Sequence, residues 1–234
     1  MPQFLLSNVG KDYTTPERRT LHAIQEVNLT VERGEFIFLT GSSGAGKSTL
    51  LQIMSCALRP TCGSMYYDGL NVTAMFSRRR ERLRQSFGYV AQSCALVRKR
   101  TVGENLRSAL LPGRGRDADS AARILKALSL VGLSDVTGRF PAELNLGECR
   151  RVELAQAILN NPPVLLLDEL TANLDEDTAW DMFLFLDELN RMGTTVIMAS
   201  SAKRFINLMR RRVITLVDGR ILGDVQRGRF GDLM

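Results

Sequence analysis

The sequence contains only four cysteines and one histidine, and this scarcity argues against two classes of protein. The cysteines form no C-x-x-C pair, and His22 is the only histidine in 234 residues. A disulfide framework or a structural zinc site needs more of these side chains at closer spacing. We therefore interpret the cysteines as reduced thiols in a cytosolic protein; they are Cys56, Cys62, Cys94 and Cys149.

Long hydrophobic runs are also absent. No stretch reaches the roughly 18 consecutive apolar residues that span a bilayer. Residues 1–13 lack the basic start and long apolar core of a secretion signal. We expect a protein that is neither exported nor embedded in a membrane by itself.

Positive charge is in excess, with a formal net charge of +6. It is concentrated in three basic runs, at residues 78–80, 98–100 and 210–212. Such runs are typical of solvated faces, and they also suit an anionic membrane surface, nucleic acid or an acidic partner protein. The charge alone does not choose between these partners.

The chain alternates β-type and helical patterns. Short runs rich in β-branched and aromatic residues fill the first third, a mostly helical pattern covers residues 93–161, and apolar strand patterns return afterwards. This alternation predicts an α/β fold with a mostly parallel sheet that is covered on both faces. We expect one domain over residues 1–234, with an α/β core at 1–92 and 162–234 and an inserted helical subdomain at 93–161.

A glycine-rich loop follows the apolar strand pattern of residues 36–40. Residues 41–48 match G-x-x-x-x-G-K-S, and helical spacing begins at Lys47. Glycines let successive backbone N–H groups face one point, and the helix amino terminus adds its dipole, so the loop predicts a phosphate site. We expect Lys47 to neutralise the β and γ phosphates of ATP and the Ser48 hydroxyl to ligate Mg²⁺. The predicted nucleotide-binding residues of the loop are Gly41, Ser42, Ser43, Gly44, Ala45, Gly46, Lys47, Ser48 and Thr49.

Two acids, Asp168 and Glu169, end a second apolar strand pattern at residues 164–167. Asp168 suits a residue that holds Mg²⁺ through Ser48 or water, and Glu169 suits one that activates the attacking water beside the γ phosphate. Two acids after a strand are also common at helix starts. Downstream of a phosphate loop, however, the pair predicts hydrolysis of ATP.

Together these motifs resemble the nucleotide-binding subunits of ABC transporters, over nearly the whole chain. The resemblance implies a P-loop NTPase fold of the ABC ATPase type, with an antiparallel β subdomain beside the parallel core. It implies that Tyr13 stacks on adenine, with a core tyrosine as the alternative. It also implies that Gln92 serves catalysis, ligates Mg²⁺ and joins the magnesium site to a membrane partner. Residues 170–175 match the loop through which two such subunits touch in a dimer.

Within this family the chain is most similar to the FtsE type, on residues 39–51, 100–102, 193–199 and 214–220. The subunits that power lipoprotein release and macrolide export share much of this pattern. The resemblance implies a homodimer of ATPase subunits on the cytoplasmic face of the cell membrane. Its integral membrane partner is expected to be FtsX-like, with a role in cell division, or an exporter permease.

The signature segment of the family is altered in this chain. It reads Leu144-Asn145-Leu146-Gly147-Glu148, so asparagine replaces its serine and leucine replaces its first glycine. The resemblance implies that Asn145 and Gly147 contact the nucleotide held by the other subunit. Asn145 retains the ability to cap a helix, whereas a positive φ at Leu146 would cost roughly 1–2 kcal/mol.

The switch histidine of the family is also replaced. Ser201 stands at its position as a shorter, uncharged catalytic residue, and His22 lies far away in the sequence. Loss of one preorganised transition-state donor lowers a rate by about 10²–10³-fold. We therefore hypothesise normal ATP binding with slow hydrolysis, unless a partner supplies what is missing.

Three functions stay open at this point. They are an ATPase that drives a membrane partner, an ATP-sensing module with little turnover, and a soluble DNA-repair or translation ATPase. Glu169 favours the first function, while Leu146 and Ser201 favour the second. The third is disfavoured because the sequence has no long coiled-coil insertion and no second nucleotide domain, so a nucleic-acid partner is not expected.

Overall fold

The computed structural model describes residues 1–14, 16–111 and 117–233. Its strands are β1 (Phe4–Thr14), β2 (Thr20–Val31), β3 (Phe36–Thr40), β4 (Cys62–Tyr67), β5 (Leu70–Asn71), β6 (Gly88–Val90), β7 (Val164–Asp168), β8 (Thr195–Ala199), β9 (Arg212–Val217) and β10 (Arg220–Val225). Its helices are α1 (Lys47–Met54), α2 (Ser77–Arg84), α3 (Val102–Ala109), α4 (Asp117–Leu130), α5 (Leu146–Ile158), α6 (Glu176–Arg191) and α7 (Lys203–Met209), with a 3₁₀ turn at Pro141–Glu143.

The strands form two sheets. The larger sheet has the order β10-β9-β3-β8-β7-β6, and all its neighbouring strands are parallel except the β9–β10 hairpin. The smaller sheet, β2-β1-β4-β5, is entirely antiparallel. The predicted fold class, a mostly parallel core with an antiparallel β subdomain, is confirmed.

The larger sheet separates two hydrophobic cores. Alternate residues of a strand point to opposite faces, so Ile37 and Leu39 of β3 join the core beneath α1, while Phe36 and Phe38 join the core beneath α6. On the second face the ring of Phe38 lies 6.0 Å from the ring of Phe183. Burial on both faces explains why the central strands are continuous apolar runs.

Three helices, α3, α4 and α5, occupy the chain between β6 and β7, where the sequence predicts a helical insert. Residues 112–116 of that segment lie outside the described residues. The division of the chain at residues 93 and 161 stays a prediction. Two short helices were not predicted: α2, which buries none of its side chains, and α7, which has only seven residues.

The parallel topology assembles the predicted motifs. The strands β3, β6, β7 and β8 run in the same direction, so their carboxyl ends meet at one edge of the sheet. The phosphate loop leaves β3 at this edge, and Gln92, Asp168 and Ser201 lie at or just beyond the ends of the other three strands. Ligands bind at this edge in open α/β sheets.

Two of the three arginines in the basic run at residues 210–212 form ion pairs and are partly buried, and only Arg210 is exposed, although the sequence allowed a free charged surface there. Arg212 forms ion pairs with Glu35 at 2.9 Å and with Asp224 at 2.6 Å, and Arg211 pairs with Asp187. The carboxylates raise the pKa of Arg212 above its usual value. In contrast, most side chains of the other two runs are exposed.

Among the described residues, no helix has the length and apolar content needed to cross a bilayer.

Candidate nucleotide-binding site

A cavity of about 470 Å³ opens at the carboxyl edge of the parallel sheet. It brings together most of the predicted site residues, which come from five separate parts of the chain. Its lining consists of Tyr13, Leu21, Ala23, Gly41, Ser43, Gly44, Gly46, Lys47, Ser48, Thr49, Gln92, Asp168, Glu169, Ala172 and Ser201.

The phosphate loop has a conformation that requires glycine at its two ends. Gly41 and Gly46 have φ values of 142° and 101°. A Cβ at Gly41 would lie 2.3 Å from the carbonyl oxygen of Leu216, and one at Gly46 would lie 2.5 Å from that of Ala23. Any other residue would therefore push the loop away from the sheet. Helix α1 begins directly after it, so the amino terminus of the helix faces the cavity.

Lys47 lies across the mouth of the loop. Its Nζ atom donates to the carbonyl oxygens of Gly41, at 2.8 Å, and Ser42, at 2.9 Å. The ammonium group is thus held beside the backbone of the loop, at the cavity that Lys47 lines. Two predicted loop residues do not line the cavity: Ser42 is exposed beside it, and Ala45 is buried behind the loop.

Asp168 and Ser48 form the part of the site that suits a divalent cation. The Asp168 side chain is 2% exposed, and its Oδ1 atom has no hydrogen-bond partner among the described residues. Burial raises the pKa of Asp168, while a hydrogen bond from Ser48 and the positive charge of Lys47 act in the opposite direction. A buried carboxylate with a free oxygen beside a hydroxyl matches the oxygen ligands that Mg²⁺ prefers. The residues present therefore fit the ion.

We expect the Asp168→Asn variant to unfold at a higher temperature than the wild type when no nucleotide is present at neutral pH. Because the pKa of Asp168 is raised on folding, the stability that its proton contributes is complete below the unfolded pKa of about 3.9 and is lost as the pH rises through the folded pKa. Thermal unfolding followed by circular dichroism should show a difference that shrinks towards acidic pH. Asp135→Asn, at an exposed position, is the matched control, and an equal shift in both variants would contradict the expectation.

Glu169 is held by Ser201. The Ser201 hydroxyl donates to Glu169 Oε2 at 3.0 Å, and the Ser201 backbone N–H donates to the same atom at 3.2 Å. Glu169 itself has a φ of 49°, and its N–H donates to the carbonyl oxygen of Ala199. The residue at the switch position thus orients the carboxylate that the sequence predicts to activate water.

Tyr13, in β1, and Gln92, just after β6, both line the cavity. The Tyr13 side chain is 37% exposed, so the alternative of a core tyrosine is wrong. An exposed ring at a cavity wall is available for stacking. Leu21 pairs with Tyr13 across β1 and β2 and also lines the cavity, although the sequence did not single it out. Gln92 follows β6 and is exposed.

A model of the family described as "ABC transporter" matches residues 24–172. The chain belongs to the ABC transporter family. It is 39% identical over 227 residues to the cell division ATP-binding protein FtsE of Mycobacterium tuberculosis, with 97% of both chains covered. It is 37% identical over 209 residues to FtsE of Bacillus subtilis, with 89% of this chain and 92% of the relative covered.

A solved ABC structure supports the same family assignment. A dimeric structure of the ATP-binding cassette MJ0796 bound to ADP and Pi, in a post-hydrolysis state, matches with a TM-score of 0.89 and 30% identity. The match covers 97% of this chain and 100% of that one. The predicted family, fold class and enzyme class, an ATPase of the ABC type, are therefore confirmed.

The ABC signature segment lies outside the cavity of its own chain. Asn145 caps α5, with its Oδ1 atom accepting from the N–H of Glu148 at 2.8 Å and its own N–H donating to the Glu148 carboxylate at 2.8 Å. The expected ability of Asn145 to cap the helix is confirmed. Gly147 lies in the first turn of α5 and does not line the cavity either.

The backbone of Leu146 does not have the positive φ that would strain it. Leu146 is the first residue of α5 and is not among the described residues with positive φ. The cost attached to a positive φ therefore does not arise, because α5 begins at this residue with ordinary helical geometry. Its side chain is 45% exposed, so what distinguishes this ABC signature segment is an outward-facing isobutyl group.

Proposed function

We propose that this chain is the ATP-binding subunit of a membrane complex and that it binds Mg-ATP and hydrolyses it slowly. The observation that carries the proposal is the single cavity in which the phosphate loop meets Tyr13, Gln92, Asp168 and Glu169. Each of these groups matches one part of the nucleotide. All of these groups already line the same cavity, so they do not have to be brought together when nucleotide binds.

In this proposal Tyr13 stacks on adenine, and residues 41–49 bind the phosphates through backbone N–H groups and Lys47. Ser48, Gln92 and Asp168 would hold Mg²⁺. The ion, when bound, neutralises charge on the β and γ phosphate oxygens. Glu169 orients the attacking water and takes its proton, because its carboxylate is held at the cavity wall by Ser201.

Slow hydrolysis follows from the chemistry of Ser201. Its hydroxyl is already engaged with Glu169, and it is uncharged and short. It therefore supplies less stabilisation to charge that develops on the γ phosphate than an imidazole would. The signature segment retains its helix cap, but the side chain of Leu146 is exposed to solvent. This side chain weakens the contact of the signature segment with the nucleotide of the second subunit, and therefore weakens the contribution of that segment to turnover.

The Ser201→His variant is expected to hydrolyse ATP about 10–100-fold faster than the wild type, because it adds a donor within reach of the γ phosphate. Ser201→Ala is expected to be slower than the wild type, since Glu169 then keeps only the backbone N–H of residue 201. Phosphate release at saturating ATP measures both effects, and fluorescent-ATP binding should be unchanged. A Ser201→His variant that is no faster than the wild type would show that serine does not limit the rate.

We also propose that the functional unit is a homodimer. Asn145 and Gly147 lie away from the cavity of their own chain, so they can contact nucleotide only when a second subunit brings its cavity to them. Residues 171–174 line a second, smaller recess together with Glu169 and Ser201. We propose that a facing subunit contacts the site through this recess. The similar cassette MJ0796 is described as dimeric with bound ADP and Pi.

The partner surface is proposed to be a groove of about 600 Å³ between the parallel core and the helical insert. Arg84, Phe87 and Ala91 line it from the core, and Leu110 and Glu153 line it from α3–α5 and the turn that follows α3. A segment of an integral membrane protein that entered this groove would touch the residue before Gln92. By similarity to the FtsE relatives, the partner is FtsX-like and the process is cell division, on the cytoplasmic face of the membrane; an exporter permease is the alternative.

An ATP-sensing scaffold is the second candidate function, favoured by the engagement of Glu169 with a serine. Steady-state phosphate release by purified protein, measured beside fluorescent-ATP binding, distinguishes the two candidates. Turnover that depends on Lys47 and Glu169 supports the slow ATPase. Tight binding with no turnover above that of a Glu169→Gln variant supports the sensor, and no binding at all would overturn the proposal.

A further inference from the structure

Helix α5 contains a buried ion pair that none of the motifs described above includes. Arg150 is 6% exposed and Glu153 is 5% exposed. The Arg150 Nη1 atom lies 2.9 Å from Glu153 Oε2. The pair is one helical turn along from the amino terminus of α5, where Asn145 forms the cap.

Both members of the pair bind the backbone of the loop that carries Gln92. Arg150 donates from Nη1 to the carbonyl oxygen of Ala91, at 3.2 Å, and from Nη2 to the carbonyl oxygen of Gln92. The second oxygen of Glu153, Oε1, accepts from the N–H of Ala95 at 2.7 Å. The ion pair therefore holds residues 91–95 at both ends, across more than fifty residues of sequence.

The same pair lies between three functional surfaces. Gln92 lines the nucleotide cavity, whereas Ala91, Ala95 and Glu153 line the groove proposed for the membrane partner. The helix that carries the pair also presents the signature segment at its start. The hydrogen bonds of the pair thus connect α5 and one wall of the groove to the backbone of Gln92.

Fold stability alone does not account for this arrangement. Desolvation of two charges offsets most of their attraction, and apolar side chains of similar size often stabilise a core as well as an ion pair does. What the charged pair adds is a fixed orientation of its hydrogen bonds, because the planar guanidinium presents several donors in a fixed geometry. Here that geometry matches two consecutive carbonyl oxygens and one carboxylate.

We propose that Arg150 and Glu153 are positioning residues that fix the Gln92 loop to α5, so that the loop moves with the signature helix and with whatever occupies the groove. The inference rests on the proposed function, in which Gln92 belongs to the magnesium site. Neither side chain lines the nucleotide cavity. Both act by setting where the backbone of Gln92 lies.

The Arg150→Lys variant tests the proposal. Lysine keeps the positive charge beside Glu153 but has a single ammonium group, which cannot reproduce the fork to Ala91 and Gln92. Hydrogen exchange of the unliganded protein should become faster at the amides of residues 92–97. The Mg²⁺ concentration that gives half-maximal phosphate release should rise about 10–100-fold, as it does when groups that orient metal ligands are removed. Fluorescent-ATP binding without Mg²⁺ should stay at the wild-type level.

Arg151→Lys is the matched control on the next residue of the same helix. Arg151 also pairs with a carboxylate, Asp181 at 3.3 Å, but at the surface and away from the Gln92 loop. We expect it to leave both exchange and the Mg²⁺ requirement unchanged. Glu153→Gln gives a second measurement, since the amide oxygen still accepts from Ala95 while the ion pair is lost, and a smaller shift in the same direction is expected.

Equal exchange rates and equal Mg²⁺ requirements in the Arg150→Lys and Arg151→Lys variants would overturn the positioning role. A lower thermal midpoint for Arg150→Lys with no change in the Mg²⁺ requirement would assign the pair to stability only, which also overturns it. If the wild type binds no nucleotide, the proposed function fails. Exchange in the unliganded protein then still decides whether the pair holds the loop.

Discussion

Replacing Lys47 with alanine is expected to abolish measurable ATP turnover and to weaken ATP binding. The Nζ atom donates to the loop carbonyl oxygens of Gly41 and Ser42, and Lys47 lines the cavity. A hydrogen bond to a charged group contributes about 1.5–3 kcal/mol, which corresponds to a loss of about 10–100-fold in affinity. The rate at saturating ATP should fall by a further factor of about 10²–10³, because charge on the γ phosphate loses its preorganised cation.

Fluorescent-ATP titration and phosphate release measure the two losses separately. Lys99→Ala is the matched control, because it removes the same charge from an exposed position within the basic run at residues 98–100. It should leave both quantities unchanged. If Lys47→Ala behaved like Lys99→Ala, the loop would not be a phosphate site, and the proposed function would be wrong.

The Glu169→Gln variant is expected to bind ATP as the wild type does but to lose hydrolysis by about 10²–10⁴-fold, the usual contribution of a general base. The amide keeps the shape of the side chain and still accepts from Ser201, so the cavity should stay intact. It cannot take a proton from water. Phosphate release at saturating ATP, with binding measured on the same samples, gives the comparison.

Glu188→Gln, on the exposed face of α6, is the control for the loss of a negative charge. If Glu169→Gln retained the turnover of this control, another group would activate water and the assignment of Glu169 would fail.

The Glu169→Gln variant also distinguishes the two candidate functions in cells. A slow ATPase loses its role when turnover stops, whereas an ATP-sensing scaffold keeps it.

Much of the fold is predictable because the central strands are buried on both faces. Apolar runs at residues 164–167 and 195–199 predict β7 and β8, and the helical spacing between β6 and β7 predicts α3–α5. The short surface helices α2 and α7 escaped prediction. Helix α2 buries no side chain, so its sequence carries no apolar period from which a helix can be inferred.

Part of the site is also predictable, because its residues are consecutive in the chain or directly follow a buried strand. Residues 41–48 are consecutive, and the conformation that binds phosphate depends on the backbone freedom of glycine and on the helix that follows directly. Asp168 and Glu169 follow a buried strand, so their position at the sheet edge can be inferred once the sheet is taken as parallel. Leu21, by contrast, contributes to the cavity only through its pairing with Tyr13 across two strands, which no local pattern reveals.

The sequence by itself determined the fold class, the phosphate loop and the acids at the end of β7, because each depends on residues that are neighbours in the chain. Only the tertiary structure decided that Ser201 holds Glu169, that Arg150 and Glu153 hold the Gln92 loop, and that Leu146 has ordinary helical backbone. The physical reason is that these contacts join residues from separate strands, helices and loops. Their distances are set by how the two cores pack against the sheet, not by spacing along the chain.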